Sequence, residues 1–404
     1  MIKFSYSYPD GFEDDFRSDF IVDICQVKAR EELDNCTAEE RVEAETLLSD
    51  ESIHNLAFCN ATELKQEINR IFTGHPVIVD YYNPVMFFSK YNFRFDLLKL
   101  DLSRQNIENR DRVTNYKDEL LETLFRIKDE KSSLLAQYLH DELKELNTPV
   151  EIRDLLRAVQ SLHQGKSKPF KDEAPYPSWV KNLSNIFDYE KCRSEYGLQI
   201  VKSSNLEVCP FCNNNPIIIA EGKRHIDKPD LDHFYPKSIY PFLAITLSNF
   251  VPSCHRCNRT FKRDEDTYVE IIEPELITDT YSDYMHPLVE GTLKSTVFHF
   301  LPATDRLTSP TVLVSGFDGF MKNIDLFELK SVYEVDKFVR EYKSLKYIFD
   351  QKKGLEGSAQ DAIDDEEFMA MALKLGQAFN EKNVPNFKFN LDAIESISNL
   401  KVNL

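Results

Sequence analysis

Two Cys-x-x-Cys pairs, Cys209-Pro210-Phe211-Cys212 and Cys254-His255-Arg256-Cys257, stand 41 residues apart. No other feature of the chain restricts its fold as tightly. Each pair makes a tight knuckle presenting two thiolates, and two knuckles can close on one tetrahedral zinc. The separation is longer than a zinc ribbon needs, so further structure is inserted between the knuckles. Eight cysteines in 404 residues are too few for a disulfide scaffold. Cys25, Cys36, Cys59 and Cys192 show no pairing rhythm and read as buried thiols.

The inserted segment carries polar residues in a telling order. Leu231-Asp232-His233-Phe234-Tyr235-Pro236-Lys237-Ser238 comes first, then Ser248-Asn249-Phe250-Val251-Pro252-Ser253. Asn258-Arg259-Thr260-Phe261-Lys262 follows the last cysteine directly. Phosphodiester hydrolysis needs a base to activate water and a divalent cation to neutralise developing charge. Asp232 and His233 are adjacent; on a strand they point to opposite sides, so a turn or bulge must bring both to one substrate. Asn258 lies nine residues after Asn249, about two and a half helical turns if that segment is helical. A hairpin packed on such a helix would bring Asp232 and Asn258 together as oxygen ligands of a hard cation. His233 would then stand beside the phosphate as a neutral imidazole.

These residues resemble an HNH endonuclease domain, the ββα-metal fold, in the subset braced by a four-cysteine zinc. The signature positions are His233, Asn249 and Asn258, an H-N-N variant, and the resemblance covers residues 205–265. It implies His233 as general base, and Asp232 with Asn258 as ligands of a catalytic Mg2+ or Mn2+. Asn249 would brace the loop holding His233, and Lys262 or Arg259 would meet the phosphate. Cys209, Cys212, Cys254 and Cys257 would hold the structural Zn2+. The implied substrate is nucleic acid, DNA ahead of RNA, cut to 5′-phosphate and 3′-hydroxyl ends. The implied setting is bacterial restriction, phage defence or a mobile element, with an ATPase or other regulatory protein as partner. The competing class is a non-catalytic zinc module that binds nucleic acid or protein. Individual residues also have plainer readings: Asn249 as a helix cap, Lys262 as solvated surface, and His255 pointing out of its knuckle. His225 and His286 have no partners at metal-like spacing and read as surface residues.

Charge limits how nucleic acid could be met. The formal net charge is −19, so phosphate is repelled at long range and contact requires a local basic patch. Residues 201–263 supply one, with nine bases against five acids, whereas residues 1–70 hold seven bases and 17 acids. The expected class is α+β and mostly helical, in three parts. Residues 1–195 form an acidic, mainly helical region, 196–266 the HNH nuclease domain with its zinc knuckles, and 267–404 a second mainly helical region. The sequence predicts helices from Thr37 to Leu48, opened by a capping box, and over Ala61–Phe72, Asn115–Leu146, Asp325–Phe349 and Gln360–Asn380. It predicts strands at Pro76–Tyr82, Glu270–Ile272 and Thr311–Val314, and a linker at Lys166–Pro177. Gly165-Lys166-Ser167 lacks the earlier glycine of a phosphate loop, since Gln160 stands there. No run approaches a membrane span and the first residues lack a leader pattern, which makes the cytoplasm the expected compartment.

Overall fold

The computed structural model describes residues 1–84, 107–131, 133–163, 176–223, 225–268, 284–301, 311–316, 320–374 and 383–402. Helices dominate. Among the described residues the strands come as three antiparallel pairs. β1 (Ala220–Glu221) pairs β2 (Ile226–Asp227), β3 (Asp230–His233) pairs β4 (Phe250–Ser253), and β5 (Phe298–Leu301) pairs β6 (Thr311–Val314). The β6 strand lies where the apolar run predicts it. No helix among the described residues is long and apolar enough to cross a membrane.

Local chemistry explains where the N-terminal helices begin and end. Thr37 accepts from the Glu40 amide and Glu40 accepts from the Thr37 amide, so the Ala38–Leu48 helix opens on a complete capping box. Ser49 caps Asp50–Phe58, and Leu64–Gly74 answers the apolar period starting near Ala61.

Several predicted elements take a different form. Pro76–Tyr82 is a helix, not a strand. Pro76 occupies its first turn, where a missing N–H costs nothing. Residues 77–82 are all buried, so the run has no polar face to betray a helical period. Asn115–Leu146 is not one helix but parts of two, Ile107–Lys131 and Leu134–Glu145, because Ser133 accepts from the Ala136 amide and starts the second. Asp325–Phe349 falls into three, Met321–Leu326, Leu329–Tyr333 and Asp336–Glu356. The breaks are left-handed Glu328 and extended Val335. Gln360–Asn380 breaks at Asp365, whose carboxylate caps Phe368 at 2.8 Å and separates Ala359–Asp364 from Glu366–Ala372. Glu270–Ile272, Gly165–Ser167 and the linker up to residue 175 lie outside the described residues.

Asp80 ties the Pro76–Tyr82 helix to its neighbours. It accepts from Ser133 Oγ at 2.6 Å, the Leu135 amide at 2.8 Å and Tyr176 Oη at 3.0 Å. Burial pushes its carboxyl up to about 6, against 3.8 for a free one. The folded protein therefore holds this proton more tightly than the unfolded chain does. The stability it contributes is full below the unfolded value and is lost as pH rises through the folded one, on the order of 3 kcal/mol. Asp80→Asn should therefore gain stability relative to wild type between pH 4 and 7 in urea unfolding. A difference that does not change with pH contradicts this.

One buried core takes in side chains from all three sequence regions, from Met1 to Phe389. The extended N-terminus lies on the cysteine segment, where Ile2 N donates to Pro210 O and Ser7 N to Ser203 O, each at 2.8 Å. From the other side, the Lys388 amide donates to Asn213 Oδ1 at 3.0 Å and Tyr333 Oη to Cys212 O at 2.7 Å. Both flanks thus hold the first knuckle.

Candidate functional site

The four knuckle cysteines converge. Their sulfurs lie within 4.8 Å of one another, and all four residues are buried. A tetrahedral zinc with bonds of about 2.3 Å needs sulfurs roughly 3.8 Å apart, so this donor set fits the ion. Asn215 Nδ2 donates to Cys254 Sγ at 3.4 Å, a partner that steadies a thiolate ligand. The other cysteines behave differently. Cys25 and Cys192 are buried free thiols, as predicted, whereas Cys36 and Cys59 are only partly covered.

The second knuckle connects the cluster to the polar residues. β4 runs directly into Cys254, and the Arg256–Lys262 helical turn follows, so β3, β4 and this turn share one anchor. The stretch from Asn249 to Asn258 is consequently a strand and a knuckle before it is helical.

Asp232 and His233 are the last two residues of β3, paired in regular register with Val251 and Phe250 of β4. Asp232 turns toward Lys262, whose ammonium lies 3.3 Å from Oδ1 and 2.6 Å from the His233 carbonyl. The other oxygen, Asp232 Oδ2, is sealed from solvent and has no hydrogen-bond partner among the described residues. Burial pushes this carboxyl up to about 6 although Lys262 pulls it down. Lys262 is 1% exposed, so it is no solvated surface residue: it lies beneath the surface, where the carboxylate compensates its charge. Lys262→Met should destabilise the zinc-loaded protein by roughly 3–5 kcal/mol, because it strands a buried carboxylate. Adding Asp232→Asn should recover most of that loss in thermal melts. Equal melting of the single and double variants contradicts it.

His233 is buried as well. Its Nε2 sits 2.9 Å from the Ala244 carbonyl, which fixes that nitrogen as the donor. Nδ1, without a protein partner among the described residues, is left as the lone pair. Burial lowers the imidazole to about 3, so the ring is neutral. Asn249, fully buried, accepts from the Tyr235 amide at 2.8 Å and donates to the Tyr235 and Leu243 carbonyls at 3.0 and 3.1 Å. These bonds tie the loop after His233 to the segment carrying Ala244. Asn249 caps no helix, because it ends a short 3-10 turn and β4 follows.

Asn258 is half-buried, four positions before Lys262 on the same helical turn. Its side-chain amide makes no hydrogen bond among the described residues. Arg259 forks onto Asp230 at 2.8 and 2.6 Å, and His255 Nδ1 meets the same carboxylate at 2.8 Å. The His255 side chain is exposed, pointing out of the knuckle as expected.

His225 is exposed. His286, however, is buried rather than superficial, its ring centroid 4.1 Å from that of Phe234 and its Nδ1 accepting from the Leu288 amide at 3.1 Å. Nothing in its sequence neighbourhood signals this, because the covering Phe234 is distant in the chain.

Part of the chain is similar to a curated bacterial protein. The match is the Septu protein PtuB of Bacillus thuringiensis, 28% identical over 131 residues. It covers 30% of this chain and 48% of the relative, so it spans about half of that protein's length. No family model matches, and no solved structure matches.

The sequence reading missed two contributors to the site. Tyr189, from the Tyr189–Glu195 helix, sets its ring 4.4 Å from the His233 ring. The Ala244 carbonyl fixes the His233 tautomer. A backbone acceptor leaves no trace in a sequence, and Tyr189 lies outside residues 205–265.

Proposed function

We propose that this chain is a metal-dependent phosphodiesterase of the HNH type, cutting DNA as the effector of a bacterial anti-phage defence or restriction system. The observation that carries the reading is His233, held as a neutral Nε2–H tautomer with Nδ1 unpartnered among the described residues. It stands at the end of a hairpin that the four-sulfur cluster joins to Asn258. A neutral imidazole with an open lone pair can take a proton from water. Asp232 through Oδ2, together with Asn258, would hold Mg2+ or Mn2+, which supplies charge neutralisation at the phosphate. Asn249 keeps the His233 loop in register, and Zn2+ in the cysteine cluster keeps β4 against the helical turn. Similarity to a Septu protein supports the defence setting. An acidic chain carrying one basic segment would need a partner, for which a regulatory ATPase is our choice.

A second reading draws on a specific feature: Asp232 and His233 are only 4% and 6% exposed, which suits a zinc module that binds without cutting. The purified chain incubated with Mg2+ or Mn2+ against duplex DNA, single-stranded DNA and structured RNA separates the two. Metal-dependent scission giving 5′-phosphate ends establishes the hydrolase and its preferred substrate. Binding without scission under every ion and with candidate partners establishes the module.

A further inference from the structure

Tyr189 lies outside the motif, yet its ring packs directly on that of His233. Resting on the hydrolase reading, we propose that Tyr189 is a positioning residue for His233, supplied by the helical region rather than by the hairpin. A histidine held by one hydrogen bond can still rotate about its ring axis, and rotation would carry Nδ1 away from water. Two rings oppose that motion. Phe250, the cross-strand partner of His233, packs at 5.1 Å and 64°, and Tyr189 packs at 4.4 Å and 67°. Such edge-to-face contacts favour one ring orientation. The Tyr189 hydroxyl donates to the Leu231 carbonyl at 2.9 Å, fixing the ring to the strand that carries His233.

Tyr189 is itself held from outside the motif. It is the first residue of its helix, capped by Asp188, whose carboxylate accepts from the Lys191 amide at 3.1 Å. Asp188 also pairs with Lys28 at 2.8 Å, on the Val27–Asn35 helix of the acidic region. On the other side, the Lys237 ammonium lies 3.9 Å from the Tyr189 ring centroid and 2.9 Å from Glu190 Oε1. The acidic helices therefore reach His233 through one tyrosine. This gives them a role in the site beyond covering the knuckles.

The test uses the full zinc-loaded chain and two readouts. Tyr189→Met keeps the volume and removes the ring, and Tyr189→Phe keeps the ring and removes the hydroxyl. Tyr189→Leu substitutes if the methionine variant fails to melt cooperatively. For Tyr189→Met, kcat should fall about 10- to 100-fold with KM within about twofold, the pattern of a misplaced base. Tyr189→Phe should retain most of kcat. Side-chain relaxation of the His233 ring should show one rigid orientation in wild type and Tyr189→Phe, and increased ring motion in Tyr189→Met. Lys346→Ala, at an exposed pair with Asp350 on the Asp336–Glu356 helix, should keep the wild-type kcat; if it reproduces the Tyr189→Met loss, the effect is not specific to Tyr189 and the proposal falls. A rigid ring, or an unchanged kcat, in Tyr189→Met also overturns it. If wild type cuts nothing, the hydrolase reading fails by itself. The ring-motion measurement still decides whether Tyr189 holds the ring.

Discussion

Cys209→Ser should lose the zinc and, with it, the cooperative fold of the centre of the molecule. Structural zinc sites contribute about 10–16 kcal/mol on binding to small finger peptides. Net stability of a protein is only about 5–15 kcal/mol, so losing most of that contribution is decisive. The geometry here leaves little to compensate. The pairing of β3 with β4 spans four residues, and the following helical turn spans seven. Such short elements cannot stand alone. Both flanks also dock on the first knuckle, through Pro210, Cys212 and Asn213, so disorder there would spread outward. Metal analysis should find one zinc per wild-type chain and none in Cys209→Ser, with a broadened melt and rapid proteolysis near residues 205–265. Cys36→Ser, at a half-buried free thiol, should change neither. A Cys209→Ser protein that melts like wild type without metal would show that packing alone holds the centre.

The sequence was most informative where chemistry demands particular residues at particular spacings. Four thiols in two tight pairs have few partners other than one another, and the structure gathers them. Capping is equally local: the Thr37 box needs only four residues, and it forms as read. Period-based readings weakened where burial was complete. Val77, Ile78 and Val79 look the same to a strand and to a helix surrounded on all sides. Breaks inside long apolar patterns were also hidden, because a cap such as Ser133 or Asp365 is an ordinary polar residue until its carbonyl and amide neighbours are placed. Lys262 shows a different limit. Its position beside an exposed arginine suggests surface, but only the fold reveals Asp232 beneath it. Tyr189 could not be read at all, since its role depends on packing between segments 44 residues apart.

His233→Ala should reduce cleavage by 10²- to 10⁴-fold in kcat, the range typical of losing a positioned general base. That corresponds to about 3–5 kcal/mol of transition-state stabilisation. The loss should fall on kcat with substrate binding retained, because the ring contributes a lone pair on Nδ1 rather than a charge; burial keeps it neutral. Folding must be separated from chemistry, since the ring is buried and its removal orphans the Ala244 carbonyl. An orphaned buried acceptor costs about 1–3 kcal/mol, visible as a lower melting temperature but small beside the rate effect. Asn249→Ala gives the opposite ratio: it breaks three buried bonds at once, so it should lower stability and activity together. His225→Ala, at an exposed position, should change neither. A His233→Ala protein that melts close to wild type and cuts at the wild-type rate would remove His233 from the chemistry. Asp232 and Asn258 would then have no base beside them, and the binding module would become the better account of the chain.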